Sequence, residues 1–194
     1  MTLSLGRGCA IAWLVSLPMV ASADGRVAAQ TPVNPDAKVL ADFNERVKAY
    51  VALRNKVDAD APKQQQTKDA AKIQEAQLAL AAVIRNARAN AKQGDIFTPD
   101  IEKKFRALLR PEVKGPDGAR ARAEILDEKP AVALKVNGEY PSKEPLATVP
   151  PTILQALPPL PKGQGLEYRF VRTHMILLDT RANLIVDFLL NAIS

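Results

Sequence analysis

Residues 166–190 read LEYRFVRTHMILLDTRANLIVDFLL, and this stretch decides the fold. Leu166 to Phe170 alternates with a period of two, so Leu166, Tyr168 and Phe170 face a core while Glu167 and Arg169 face out. Arg172-Thr173-His174 reads as a first turn, and Met175 to Leu178 as a buried strand. Asp179 to Asn183 reads as a second turn, with Asn183 the residue best able to take a left-handed backbone. Leu184 to Leu190 then forms the last strand. A meander of three short strands has one packed face and is not stable alone. The rest of the chain has to cover it.

The preceding segments supply that cover. Residues 35–128 are rich in Ala, Lys, Arg, Glu and Gln, all good helix formers. Asn34-Pro35 is an N-cap followed by an N1 proline, and Leu40, Phe43, Val47, Tyr50 and Val57 form one apolar stripe, which predicts a helix over 35–57. A second helix is predicted over 67–92, with Ile73, Ala76, Leu80, Val83, Ile84, Ala87 and Ala91 as its stripe and Gly94 as its stop. The linker Ala59 to Gln66 is short and contains Pro62, so the two helices form an antiparallel hairpin. Thr98-Pro99-Asp100 opens a third helix, whose Ile101, Phe105, Leu108 and Leu109 face inward and which Pro111 stops. Pro116-Asp117-Gly118 starts a shorter fourth helix through Leu126, closed by Pro130.

Between the helices and the meander the composition changes: residues 141–162 hold seven of the 15 prolines. Ala131 to Tyr140 alternates up to Asn137-Gly138, a strong hairpin-turn signal, and Pro141 cuts the returning arm short. One helical turn is expected over Ile153–Leu157, and Pro158-Pro159-Leu160-Pro161 favours extended geometry. The predicted class is therefore α+β: an N-terminal helical hairpin and further short helices packed on a small C-terminal antiparallel β meander. One domain is expected over 35–194, comprising a helical part (35–128), a small hairpin with a Pro-rich connector (131–165) and the meander (166–194).

The N-terminus predicts export. Arg7 is the only charge before Asp24, and Cys9 to Val20 is an apolar run of 12 residues. That suits a signal peptide and falls short of the ~20 residues that a membrane span needs. Ala21-Ser22-Ala23 places small residues for cleavage before Asp24, leaving a flexible tail over 24–34; Val27-Ala28-Ala29 is the alternative site. Cleavage removes Cys9, the single cysteine, so the exported chain is expected to form no disulfide and no thiolate site. The chain carries 27 Lys+Arg and 21 Asp+Glu, a net +6, which becomes +5 without Arg7. A modest excess of positive charge suits anionic surfaces such as lipid headgroups or cell-wall polymers. Nucleic acid is not expected: no run of five basic residues exists, and aromatics are 5%.

The stretch LPPLPKGQGLEYRFVRTHMILLDTRANLIVDFLLNAI is similar to one in exported bacterial proteins of uncharacterised role, and it resembles the C-terminal β unit of the RcnB family of periplasmic proteins. The shared pattern is a Pro-Pro element, a Gly, an aromatic strand, an aliphatic strand ending in Asp179, a tight turn and a final Ile-Val strand. Where that family favours Thr-Gly in the second turn, this chain has Ala182-Asn183. The resemblance covers about a fifth of the chain and implies a β unit; by kinship it would also imply a role in nickel and cobalt homeostasis.

The residues themselves point to no catalytic group. Beyond the leader the chain has one histidine, His174, with Asp179 and Glu167 its nearest carboxylates in the β unit, and a solvated turn position explains it. Ser22, Ser142 and Ser194 lie outside any nucleophile-elbow context, and Thr173 and His174 point to opposite strand faces. Asp100 with Glu102, Glu139 with Glu144, and Asp179 with Asp187 are the available carboxylate pairs, but Asp100 and Asp179 read as a cap and a turn residue. Gly163-Gln164-Gly165 is no phosphate loop. One charged feature remains. Arg85, Arg88, Lys92, Lys103, Lys104, Arg106 and Arg110 cross the end of helix two and helix three, and packing these helices together would join them into a surface for an anionic partner. Placement near helix C-termini also accounts for some of these charges. The expected function is a non-catalytic exported envelope protein, an interaction or structural module for an anionic envelope component or a protein, with no cofactor. A periplasmic accessory in metal homeostasis and a carboxylate-dependent hydrolase are the alternatives.

Overall fold

The computed structural model describes residues 34–59, 68–115, 118–127, 132–141 and 143–194. The expected leader, the tail over 24–33 and the interhelical linker around Pro62 lie outside these residues. The elements are α1 (Pro35–Ala59), α2 (Ala70–Ala87), α3 (Pro99–Lys114), α4 (Gly118–Asp127), α5 (Pro151–Ala156), β1 (Leu166–Val171), β2 (His174–Asp179) and β3 (Leu184–Leu189). The fold is α+β, with one three-stranded antiparallel sheet in the order β1-β2-β3. From Val33 to Ser194 the chain forms one compact unit.

Asn34 caps α1, its side chain accepting from the Asp36 amide at 3.0 Å. The α1 stripe is buried at Phe43, Val47, Tyr50 and, unexpectedly, Arg54. In α2, Leu80, Ala81 and Ile84 are buried, but Ile73 and Ala87 are exposed, so only the middle of the expected stripe is used. This helix ends at Ala87 rather than Lys92, because Arg88 leaves helical geometry. The two helices run antiparallel. Arg181 of the β2–β3 turn pairs with Asp58 near the end of α1, and Gln77 early in α2 donates to Thr180 O of the same turn. At the other end, Arg46 of α1 donates to Asp95 O, beyond α2.

Helix α3 does not stop at Pro111 but runs to Lys114. The proline removes one intrahelical N–H; burial of Val113 against the core keeps the last turn in place. A single hydrophobic cluster joins α1, α2, α3, α4, α5 and one sheet face, and the rings of Phe43, Phe97, Phe105 and Tyr168 meet within it, stacked or edge to face, with centroid separations of 4.8–6.4 Å. Ile96 and Phe97, in the loop between α2 and α3, are buried there.

The meander departs from expectation on its second face, which is also packed. Tyr140, Val171, Ile176, Leu178, Ile185 and Phe188 form a separate buried cluster, covered by Val132, Leu134 and Val136. The expected small hairpin around Asn137-Gly138 is instead an extended segment with a turn. Gly138 N–H bonds Lys135 O, Asn137 has φ 60°, and Glu139 bridges Leu184 of β3. The alternating Val132, Leu134 and Val136 thus serve as cover for the sheet. Asn183 is left-handed at φ 50° as its turn requires, and the first turn is only Arg172-Thr173, with His174 already paired to Val171 in the sheet.

Candidate functional site

Two carboxylates sit in the interior, and each is fully engaged. Asp179 ends β2 and is completely buried together with Arg54. Its Oδ2 accepts from Arg54 Nη1 at 2.9 Å and from the Tyr50 hydroxyl at 2.7 Å; its Oδ1 accepts from the Arg181 and Ala182 amides. Arg54 also donates to the backbone and side-chain oxygens of Gln164, tying the Gly163–Gly165 loop to α1. Burial, reinforced by the Asp179 charge, holds the Tyr50 hydroxyl well above the usual phenol range. Asp187 lies in β3 where pairing with β2 shifts register between Leu177 and Leu178, and its carboxylate meets the loop after α2. It accepts from the amides of Gly94, Ile96, Phe97 and Phe188 at 2.8–3.1 Å. Burial pushes this carboxyl above its ordinary value against the pull of those amides. Both carboxylates hold the fold together, and neither faces an open space where it would meet a substrate.

Neither was legible as an anchor in the sequence. The signals present were an arginine at a stripe position of α1 and an acid inside the aliphatic run of β3.

His174 opens β2, half-buried, rather than lying in a turn, and its Nδ1 accepts from the Asn191 amide at 2.9 Å. Burial and the neighbouring Arg172 lower its pKa. Among the described residues no group of three or more His, Cys, Asp and Glu side chains is placed to hold a metal ion.

The seven basic residues expected to share one surface are divided by the fold. Arg85 and Arg88 turn inward. Arg85 Nε donates to Asn137 O at 3.0 Å. Arg88 donates to Asn137 Oδ1 at 2.7 Å and to Val186 O at 3.2 Å, and its guanidinium lies 5.0 Å from the Tyr50 ring centre. Burial lowers the Arg88 pKa. These two residues join α2 to the cover segment and to β3. Lys104 pairs with Asp36 at the start of α1 at 2.6 Å. Lys92 lies in the loop after α2, where its backbone amide bonds Asp95.

Lys103, Arg106 and Arg110 do come together, and Lys114, which follows them on α3, joins them. They line a groove of about 350 Å³ between α3 and the turn Asn191–Ser194. A helix advances 100° per residue, so positions 103, 106, 110 and 114 fall on one side of α3, beside the buried row Ile101, Phe105, Leu109 and Val113. Arg106 bonds Glu102 at 3.0 Å and Leu190 O at 2.9 Å. Lys103, Arg110 and Lys114 are exposed and form no ion pair with any described residue. A larger hollow of about 530 Å³ beside β1 is lined by Leu146, Leu154, Pro158 and Leu160. Its two charged residues, Glu167 and Arg169, neutralise each other across 2.5 Å. The groove on α3 is therefore a place where unbalanced positive charge and a concave surface coincide.

No family model, no curated protein and no solved structure matches the chain. No helix among the described residues is long and apolar enough to cross a membrane.

Proposed function

We propose that this chain is an exported envelope protein without catalytic activity, an interaction module that holds an anionic component of the envelope against α3. Lys103, Arg110 and Lys114, exposed in one groove and in no ion pair with any described residue, carry this reading; Arg106 between them is paired with Glu102. Charges of one sign lining a concave surface reinforce one another and raise the local concentration of a counter-charged partner. The signal-like segment over 1–23 supports export, and the engagement of Asp179 and Asp187 in the interior speaks for a structural use of the carboxylates that a hydrolase would need.

The test is sedimentation of the purified protein with the insoluble envelope fraction at low and high salt, beside a variant carrying Lys103→Gln, Arg110→Gln and Lys114→Gln. Co-sedimentation that is lost in the variant and weakens with salt is the expected result. Equal retention of the variant, or recovery of the intact chain with its leader from the cytosol only, refutes the reading.

A further inference from the structure

We infer that two copies of this chain join through the free edge of β1, strand against antiparallel strand, with Tyr168 facing its own counterpart. The two edges of the sheet differ. Outside β3, the Asn137 amide bonds Ile185 O, the Ile185 amide bonds Gly138 O and the Tyr140 amide bonds Asn183 O, so the segment 137–140 closes that side. Outside β1 no such cover exists among the described residues. The phase of the strand shows which groups are left over. Gly165 O accepts from the Thr180 amide at 2.8 Å, and Leu166 lies opposite Asp179. Bonding to β2 therefore runs through Gly165, Glu167, Arg169 and Val171, while Leu166, Tyr168 and Phe170 turn their amides and carbonyls outward. These three make no backbone hydrogen bond on that side to any described residue. Since β1 is paired to β2 in unbroken register over all six residues, its outer edge is a regular template for another strand.

Space and charge select the occupant. The hollow of about 530 Å³ is lined by the consecutive residues Leu166, Glu167, Tyr168 and Arg169, which alternate between faces, so it runs along the edge of the strand. Leu146 and Leu154 also line it and are exposed, apolar surface that a strand laid there takes out of water. The strand is its own complement. In an antiparallel pair bonded through Leu166, Tyr168 and Phe170 and centred on Tyr168, Glu167 lies directly opposite the partner's Arg169, and Arg169 opposite the partner's Glu167, at the close non-hydrogen-bonded sites. Sliding one strand by two residues, the smallest step that keeps the bonding phase, sets Glu167 against the partner's Glu167 or Arg169 against the partner's Arg169. Like charges directly opposite are destabilising, so the register is fixed. The ion pair that Glu167 and Arg169 form within one chain is kept and becomes half of a ring of alternating charges. The edge calls for an acid and a base two residues apart, and it presents that same order itself. Such a contact is two-fold symmetric, and with the β3 edge closed, association stops at the dimer.

Sedimentation equilibrium of the purified protein from micromolar to millimolar concentration should show a monomer–dimer equilibrium and nothing larger. Glu167→Arg and Arg169→Glu each set like charges opposite one another across the two-fold axis, and each should weaken self-association about tenfold or more. An equimolar mixture of the two variants should recover it, because every pairing between unlike variants is of opposite sign; damage to the fold by either substitution is not repaired by mixing. Amide exchange followed by nuclear magnetic resonance should show Leu166, Tyr168 and Phe170 slowed as concentration rises, with Glu167 and Arg169, already bonded to β2, unchanged. A chain that stays monomeric throughout, a dimer indifferent to both charge reversals, or a mixture that associates no more tightly than its components overturns the inference. So does slowing of the three amides by an uncharged valine–threonine hexapeptide while the chain itself remains monomeric, which gives the edge to a foreign strand.

Discussion

Arg54 places a guanidinium in the interior, where an unpaired charge is costly. It is tolerated because Asp179 neutralises it and Gln164 accepts two further bonds. Its Nε has no partner among the described residues, so this satisfaction is incomplete. Removing one member of such a pair is far worse than removing both, since the survivor keeps its desolvation cost. Arg54→Met should therefore destabilise the protein by about 3–5 kcal/mol. Adding Asp179→Asn should recover part of that, because the amide oxygen can still accept from the Arg181 and Ala182 amides. Urea unfolding of both variants measures this; a double variant less stable than Arg54→Met alone contradicts the account.

At the scale of elements, the C-terminal turn is joined to the start of β2 through His174. The imidazole accepts the Asn191 amide on Nδ1, so it must be neutral at that nitrogen, and protonation breaks the bond. Its folded pKa lies below the ordinary 6.5, through burial and then Arg172. The sign follows from linkage: the unfolded chain binds this proton more readily, so stability rises with pH across the interval. The contribution is complete above about pH 6.5 and is lost as pH falls from there to the lowered folded value. His174→Gln should flatten that segment of the stability–pH curve. A parent protein whose unfolding midpoint is unchanged through this range goes against the assignment. The same acidification should broaden the nuclear magnetic resonance signals of Asn191 and Ala192, which form one wall of the groove.

At the scale of the whole molecule, the helices and the sheet complete each other's burial. Phe170 of β1 is fully buried in the cluster that also contains Phe43, Ile84 and Phe105 from three helices. Truncating Phe170 to Ala should cost ~3–5 kcal/mol, a large part of the ~5–15 kcal/mol that holds a typical domain together. The full chain is accordingly expected to melt in one cooperative transition, and a fragment ending at Pro130 to lose it. Thermal unfolding followed by far-ultraviolet circular dichroism decides the matter. A fragment that melts cooperatively at the full-length temperature would make the helical part an independent domain.

Local pattern was sufficient for the periodic elements. The alternation of Leu166, Tyr168 and Phe170, the Asn34-Pro35 cap and the left-handed Asn183 each depend on neighbours a few residues away, and short-range sterics and spacing determine them by themselves. The groove was half-legible for the same reason: Lys103, Arg106 and Arg110 repeat at helical spacing, but Pro111 concealed that α3 continues to Lys114. Where an interaction spans the chain, pattern was silent. Arg85 and Arg88 read as surface charges until the segment around Asn137 meets them, 49 residues away from Arg88 in sequence. Arg54 and Asp179 are 125 residues apart. The second face of the sheet is buried by Val132, Leu134 and Val136, whose alternation ahead of Asn137-Gly138 suggested a hairpin. Periodicity says which side of an element is apolar, but long-range packing chooses what covers it. Only the tertiary structure decided which charges are anchors and which remain free to bind.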